Sequence, residues 1–333
     1  MTGYLAKRLL WLIPVIFIVA GLTFILMHNA PGGPWDRDLN ARQVDPTAQK
    51  LLNEYYGLNK PLVAQFTSYL VGGTNSTTKK WVCGLVCGNM GPSYRIRGMS
   101  VQQYLFRPPA HRNFLYSKFG YSIRLAFLAL SIAILIGLPM GVISALKQNT
   151  WIDYVNLFVA TIGISVPNFV IAIFLIIIFA STLHWVSIVP TSWDEFNVWI
   201  LPSVVLGFGV LARTARLSRA TMLEVMRQDY VRTARAKGLA ERVVVIRHMI
   251  QNAMIPVVTF LGPALAGLIT GSFIIETMFG FPGMGRAYVT AISQRDYSMI
   301  MGTTLIYAVL VALANLSVDF VYVLLDPRIK LTE

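Results

Sequence analysis

Long apolar runs separated by short polar stretches organise this chain. Six runs are of the length that an α-helix needs to cross a bilayer, about 20 residues: Leu9–Met27, Tyr121–Leu146, Val155–Leu183, Val198–Leu217, Ile255–Met278 and Ile300–Leu325. The pattern predicts an all-α polytopic membrane protein with six transmembrane helices. Lys7 and Arg8 precede the first run, as in a signal peptide. That run is longer than the roughly 7–15 apolar residues of a signal-peptide core, and no small-x-small cleavage site follows it. It reads as a retained anchor.

Three regions follow: an N-terminal helix in 1–28, a long polar segment in 29–120, and a core of five spans in 121–333. Ala30-Pro31-Gly32-Gly33-Pro34 is a turn signal that ends the first span. Leu51, Leu52, Tyr55 and Tyr56 have helical spacing within Pro46–Tyr56, with Asp45 as a candidate cap and Gly57 as a stop. Gly72–Phe119 has no clear periodicity and reads as a small insertion. Within the spans, Gly137, Pro139, Gly141 and Pro167 read as features of helix packing. Gly267 and Gly271 read likewise, as a small-xxx-small pair.

Composition supports lipid as the main solvent. Hydrophobic residues make up 55% of the 333, and charged residues only 13%, against about 25% in a soluble globule. The net charge of +13 is not a nucleic-acid signal, because the basic residues sit between apolar runs, where membrane topology explains them. With the N-terminus inside, Lys147, Arg213, Arg216, Arg219, Arg227, Arg232, Arg235, Lys237, Arg242 and Arg247 fall in or beside cytoplasmic loops. Arg286 and Arg295 alone fall in the two short outer loops. Both termini are expected to be cytoplasmic and 29–120 extracytoplasmic. Cys83 and Cys87 lie in that outer segment, where a disulfide and two free thiols are both open readings.

The candidate chemistry lies between the fourth and fifth spans, in a polar, basic segment at 218–254. Glu224–Lys237 has helix-forming character, Gly238 breaks it, and Glu241–Ala253 resumes. Glycine suits such a turn because it tolerates a left-handed backbone. Thr233, Ala234 and Ala236 are small enough for a partner surface to approach, and Arg232, Arg235 and Lys237 surround them with charge. This is the chemistry of a short helix seated in a groove of another protein. The competing reading is a basic hairpin that enforces topology or touches anionic headgroups.

The stretch Asp229-Tyr230-Val231-Arg232-Thr233-Ala234-Arg235-Ala236-Lys237-Gly238-Leu239 resembles the "EAA" loop of ABC importer permeases, and more narrowly the oligopeptide/dipeptide subfamily. Lys7-Arg8-Leu9-Leu10 through Ala30-Pro31-Gly32 is similar to that subfamily's first span. So are Phe279-Gly280-Phe281-Pro282-Gly283-Met284-Gly285-Arg286, Asp296-Tyr297 and Leu325-Asp326-Pro327-Arg328. Arg232-Thr233-Ala234 stands where the general motif has Glu-Ala-Ala, and Ile250-Gln251 where it has Leu-Pro, with the proline delayed to Pro256. The peptide subfamily differs from the general motif in the same way. The insertion with Cys83 and Cys87 is less familiar within it.

The resemblance implies a type I ABC importer permease fold with an extracytoplasmic insertion between helices 1 and 2, in a bacterial or archaeal plasma (inner) membrane. It implies a non-catalytic subunit that binds no cofactor itself, with ATP and Mg in partner subunits. The implied partners are a second homologous permease subunit, two cytoplasmic ABC ATPase subunits and an extracytoplasmic substrate-binding protein. Residues 232–238 would form the coupling helix, and short peptides would be the cargo, with nickel chelates, glutathione or oligosaccharides as alternatives. Glu276, near the outer end of the fifth span, either lines the path or faces outer water. Phe281 and Met284 join it as candidate path or gate residues.

Two other classes remain to be weighed. A self-contained secondary transporter predicts inverted repeats and buried charge in broken helices, and neither is clear here. Asp319, near the inner end of the last span, reads as a pairing or snorkelled residue, and His28 and His184 as interfacial ones. An assembly protein would use the basic hairpin alone and need no path. No Gly-x-x-x-x-Gly-Lys-Ser/Thr phosphate loop occurs.

Overall fold

The computed structural model describes residues 2–35, 46–74, 79–187, 190, 192–271 and 273–325. Asp45 and Asp326-Pro327-Arg328 lie outside the described residues, as does the side chain of Asp319. Among the described residues, five helical stretches are long and apolar enough to cross a membrane: Leu10–Asn29, Lys118–Leu146, Asn197–Met226, Glu241–Met278 and Tyr297–Ser317. A sixth span arises if Trp151–Ser165 and Asn168–Thr182 count together.

That third span, expected as one transmembrane helix, is broken in two. Its two halves meet at 111°. Pro167 is the cause, because a proline ring pushes the residue before it out of the helical region and supplies no N–H. Val166 is extended, at φ −89° and ψ 125°, and the next helix starts at Asn168.

The chain divides into two units. One comprises Lys7–Tyr121 and Pro282–Val309. Its helix α1 (Thr2–Asn29) is followed by α2 (Pro46–Tyr56), α3 (Leu62–Leu70), a two-stranded antiparallel ribbon of β1 (Gly72–Thr74) with β2 (Trp81–Cys83), and α4 (Val101–Phe106). Gly57 ends α2 at φ +70°, in the role its position suggested. Register pairs Gly72 with Cys83, Gly73 with Val82 and Thr74 with Trp81. The ribbon packs backbone on backbone: a Cβ on Gly84 would stand 2.4 Å from the carbonyl oxygen of Tyr69. Cys83 and Cys87 form a disulfide, with their Cα atoms 5.9 Å apart.

Asp296 ties this segment down. Its carboxylate accepts from the Ser93 hydroxyl, from the Tyr94 N–H at 3.1 Å and the Arg95 N–H at 3.3 Å, while also receiving the Met299 N–H at 3.2 Å. Arg95 completes the tie by donating to the carbonyls of Pro34 at 2.6 Å and Gln294 at 2.8 Å.

The second unit comprises Met1–Ala6, Ser122–Phe281 and Leu310–Glu333. In chain order its elements include α5 (Lys118–Ile132, entering from the first unit), α6 (Leu138–Leu146), α7 (Trp151–Ser165), α8 (Asn168–Leu175) and α9 (Asn197–Met226). A π turn at 133–137 joins α5 to α6. The core lies around α9, which buries residues along its length from Val198 to Met222. Its neighbours reach it through glycines. A Cβ on Gly137 would meet the Leu211 carbonyl oxygen at 2.7 Å, one on Gly141 the Ala215 oxygen at 2.3 Å, and one on Gly163 the Ala212 Cβ at 2.6 Å. Small residues are what allow helices to approach so closely in lipid, where apolar burial alone does not favour protein over solvent.

A buried ion pair fixes one end of the bundle. Asp153 is 1% exposed and accepts from Arg219 Nε and Nη2, both at 2.7 Å. It also accepts from the Ser144 hydroxyl and, at 3.0 Å, from the Asn149 N–H. The carboxylate therefore joins the end of α6, the following turn, α7 and α9. Breaking such a pair leaves an uncompensated buried charge, at a cost of about 3–5 kcal/mol. Arg219→Ala should lower the thermal unfolding midpoint of the purified protein in detergent, and Asp153→Asn with Arg219→Leu together should recover part of that loss.

Candidate functional site

The basic loop is built from three pieces. The expected continuous helix over Glu224–Lys237 is interrupted: α9 ends at Met226, Gln228 is extended at φ −73° and ψ 147°, and α10 spans Asp229–Ala236. Asp229 accounts for a start there, since a carboxylate in the first turn stabilises the positive end of the helix dipole. Gly238 then adopts φ +76°, as the turn reading required, and donates its N–H to the Arg235 carbonyl at 2.9 Å. The chain resumes as α11 (Glu241–Val243), a π turn over 244–250, α12 (Gln251–Gly271) and α13 (Phe273–Met278).

The loop helix has two faces. Val231 and Ala234 are buried in a cluster with Val142, Ala145, Met222, Val244, Met249 and Ala253. Arg232, Thr233, Arg235, Ala236, Lys237 and Gly238 are exposed. Of the seven loop residues singled out in the sequence, six stand on the open side, while Ala234 faces the chain's own core. Arg235 donates to Glu241 at 2.6 and 3.1 Å, and Asn252 donates to the Tyr230 hydroxyl at 2.9 Å. These bonds hold α10 against the element that follows it.

A cavity of about 590 Å³ opens at the bend of the third span. Pro167 and Asn168 line it from the bend, Gly209 and Arg213 from α9, and Pro263 and Gly267 from α12. Gly267 is a correction to the packing assignment: a Cβ placed on it would have no neighbour within 4 Å. It widens a cavity instead of seating a helix. The surroundings of Gly271 lie outside the described residues.

Glu276, Phe281 and Met284 are each fully buried. Glu276 therefore does not face water; the Ser122 hydroxyl donates to it at 2.6 Å. Phe281 is held edge-on by Trp193 and Trp199, at ring-centre distances of 4.6 and 4.8 Å, and the Arg124 guanidinium lies 4.5 Å from the centre of the Trp199 ring. Sequence reasoning missed this aromatic group. Its only signal was the pair Trp193 and Trp199 flanking the start of the fourth span.

A family model described as "Binding-protein-dependent transport system inner membrane component" matches residues 137–331. The chain belongs to that family. It is 39% identical over 331 residues to the dipeptide transport system permease protein DppB of Bacillus subtilis, covering 99% of each chain. It is 36% identical over 330 residues to the oligopeptide transport system permease protein OppB of Escherichia coli, covering 99% of this chain and 100% of that one. The glutathione transport system permease protein GsiC of Shigella flexneri is also 36% identical, over 99% of both. A crystal structure of an amino acid ABC transporter with histidines is similar over 65% of this chain and 94% of that chain, at 18% identity and a TM-score of 0.46. The permease has the type I importer fold and is a non-catalytic, multi-pass membrane subunit; in this family of ATP-driven transporters, hydrolysis lies in partner subunits.

The two faces of α10 give a direct test. Ala234→Leu overpacks the permease core and should cost about 1–3 kcal/mol. Ala236→Leu, on the open side, should change stability by less than about 0.5 kcal/mol. Thermal unfolding of the two variants in detergent separates them.

Proposed function

We propose that this permease forms half of the membrane path of an importer for short peptides. Its α10 seats in a cleft of a cytoplasmic ATPase. One observation carries the docking reading: a short helix presents arginine, lysine and small side chains outward while Val231 and Ala234 root it in the core of the membrane unit. A helix held in this way passes on a push from outside instead of absorbing it. Both termini then lie in the cytoplasm, and the segment over 29–120 faces the compartment where a binding protein delivers cargo. A second permease subunit supplies the other half of the path, and two ATPases supply the ATP and Mg sites.

The cavity at the bent span supports the cargo reading. Most of its lining side chains are apolar, with Ser165, Asn168 and the Arg213 cation among them as polar ones. Such a wall grips no particular side chain, while a cation suits the carboxylate that every free peptide carries. The identity to dipeptide and oligopeptide permeases supports the same class. Glutathione is the second reading, favoured by the similarity to GsiC, and it is itself a small peptide.

Gly238 provides the test of coupling. A Cβ there would meet nothing within 4 Å, so any cost of substitution comes from the left-handed backbone alone. Gly238→Val, β-branched and strained at positive φ, should uncouple ATP hydrolysis from uptake while leaving the protein inserted. Gly238→Asn should retain most coupling, since asparagine tolerates that conformation. Hydrolysis and uptake measured together in proteoliposomes holding the full transporter decide it; tight coupling in the valine variant would refute the docking assignment. The chain reconstituted by itself should show no saturable uptake. Saturable, substrate-specific uptake by the single subunit would make it a self-contained carrier.

A further inference from the structure

The helix α3 is inside out for a helix in water. Its polar residues turn to the protein or satisfy themselves. The Gln65 amide donates to the carbonyls of Leu58 at 3.1 Å and Lys60 at 2.8 Å. Ser68 stands against Gly73, where a Cβ would lie 2.9 Å from its hydroxyl oxygen. Thr67 is exposed, and its hydroxyl donates to the Ala64 carbonyl at 3.2 Å. Leu62 and Val63 point outward instead, at 52% and 75% exposed. They precede Phe66 by one helical turn and share its face.

Phe66 fixes where that face lies. Its ring centre stands 5.9 Å from that of Phe17 and 5.2 Å from that of Phe24, and its Cζ is 3.8 Å from where a Cβ on Gly21 would be. Those three residues belong to the membrane span Leu10–Asn29. Gly21 lies about 12 Å of helical rise from the Asn29 end of that span, and half of a hydrocarbon core is about 15 Å. The stripe of Leu62, Val63 and Phe66 thus continues the exposed apolar surface that α1 presents through Phe17, Leu22, Ile25 and Leu26. A soluble protein does not enter at that depth, whereas an amphipathic helix lying in an interface buries its apolar face there.

Charge narrows the occupant further. Between Pro46 and Tyr121 the sequence holds nine lysines and arginines against one carboxylate, Glu54. The positive-inside rule does not set the charge of so long a segment, so topology does not account for the excess. Part of it gathers where α3 begins. Lys60 reaches the Thr74 carbonyl at 3.4 Å, and Thr74 pairs with Trp81 across the ribbon. Lys79, Lys80 and the Trp81 ring are exposed beside them. An ammonium has three donors, so Lys60 keeps two for another acceptor. Tryptophan at headgroup level and lysines over an apolar stripe are the chemistry of an interfacial anchor.

We propose that α3 and the Lys79–Trp81 end of the ribbon form a lipid-binding surface that lies in the leaflet at the Asn29 end of α1. Leu62, Val63 and Phe66 sit among acyl chains, and Lys60, Lys79 and Lys80 bind the phosphates of anionic phospholipids. Part of the segment between the first two spans therefore rests in the bilayer surface. Nothing in this surface depends on the cargo.

The test uses the full transporter in nanodiscs, with a bimane fluorophore on Val63→Cys; Cys83 and Cys87 are bonded to each other and take no label. Lipid brominated at mid-chain should quench the bimane, and aqueous iodide should not. In mixtures, brominated phosphatidylglycerol should be favoured over brominated phosphatidylcholine by about five-fold, the value of one lysine at an anionic surface. Changing Lys60, Lys79 and Lys80 together to Gln should bring that ratio to about one while quenching by bromine persists. Quenching by iodide without bromine puts the face in water and overturns the proposal. So does shielding from both quenchers, or loss of bromine quenching when binding protein is added, since each makes the face a protein interface. Equal affinity for the two lipids, or a preference that survives in the triple variant, also overturns it. Should that variant fail to assemble, the wild type at 1 M salt decides, because the screening length falls to about 3 Å: the ratio should drop to about one, and an unchanged ratio sinks the lysine assignment.

Discussion

The close seat of α9 is the constraint on which the second unit depends. Gly137, Gly141 and Gly163 bring neighbouring helices so near that a single methyl would collide with the carbonyl oxygens of Leu211 and Ala215 or the methyl of Ala212. Burying apolar surface does little for helix association in lipid, so contact at this range has to come from dispersion and shape. Once α9 is seated, Arg219 falls opposite Asp153, and Met222 falls into the cluster that roots α10. Packing, the buried pair and the loop's anchorage are consequences of one helix position.

In a chain with so few charges, the buried carboxylates act as joints. Asp153 binds four elements of one unit, and Asp296 ties the segment around Ser93–Arg95 to the start of the helix Tyr297–Leu325 in the other. Glu276 is enclosed beside Ser122. The sequence distinguished none of these roles, because an acidic residue near a span end looks the same whether it faces water, a path or a hydroxyl donor. The partners settle the role, and those partners lie far off in sequence: Ser93 is 203 positions from Asp296 and Ser122 is 154 from Glu276.

What was legible in the sequence was what local rules decide. Apolar length marked the spans, and Gly57 and Gly238 marked turns with positive φ. Pro167 carried the bend of the third span in plain view, yet inside one long apolar run it read as a feature of helix packing. The break at Gln228 was less visible, since nothing in Arg227-Gln228 opposes a helix and only Asp229 favours a new start. Gly267 satisfied a spacing rule for packing but lines a cavity, because spacing says which residues share a face and not what that face meets. A cavity lined by Phe24, Tyr56, Tyr69, Tyr94 and Tyr297 was beyond reach for a simpler reason: its walls come from between Phe24 and Met301, and no local pattern links them.

The coupling proposal gains its physical content from two helices that serve both sites. The helix α9 lines the cavity at the bend through Gly209 and Arg213 and enters the loop's core at Met222. The helix α12 lines the cavity through Pro263 and Gly267 and enters that core at Ala253, Met254 and Val257. From Arg213 to Met222 the rise along a regular helix is about 14 Å. Backbone hydrogen bonds make such a stretch stiff, so a displacement of α10 has two short routes to the cavity wall. Stiffness alone does not drive transport. The ATPase must bind one arrangement of the loop more tightly than the other, and cargo must read the same difference at the cavity. Proximity of the two sites is a structural precondition for that linkage, and differential binding is what turns it into work.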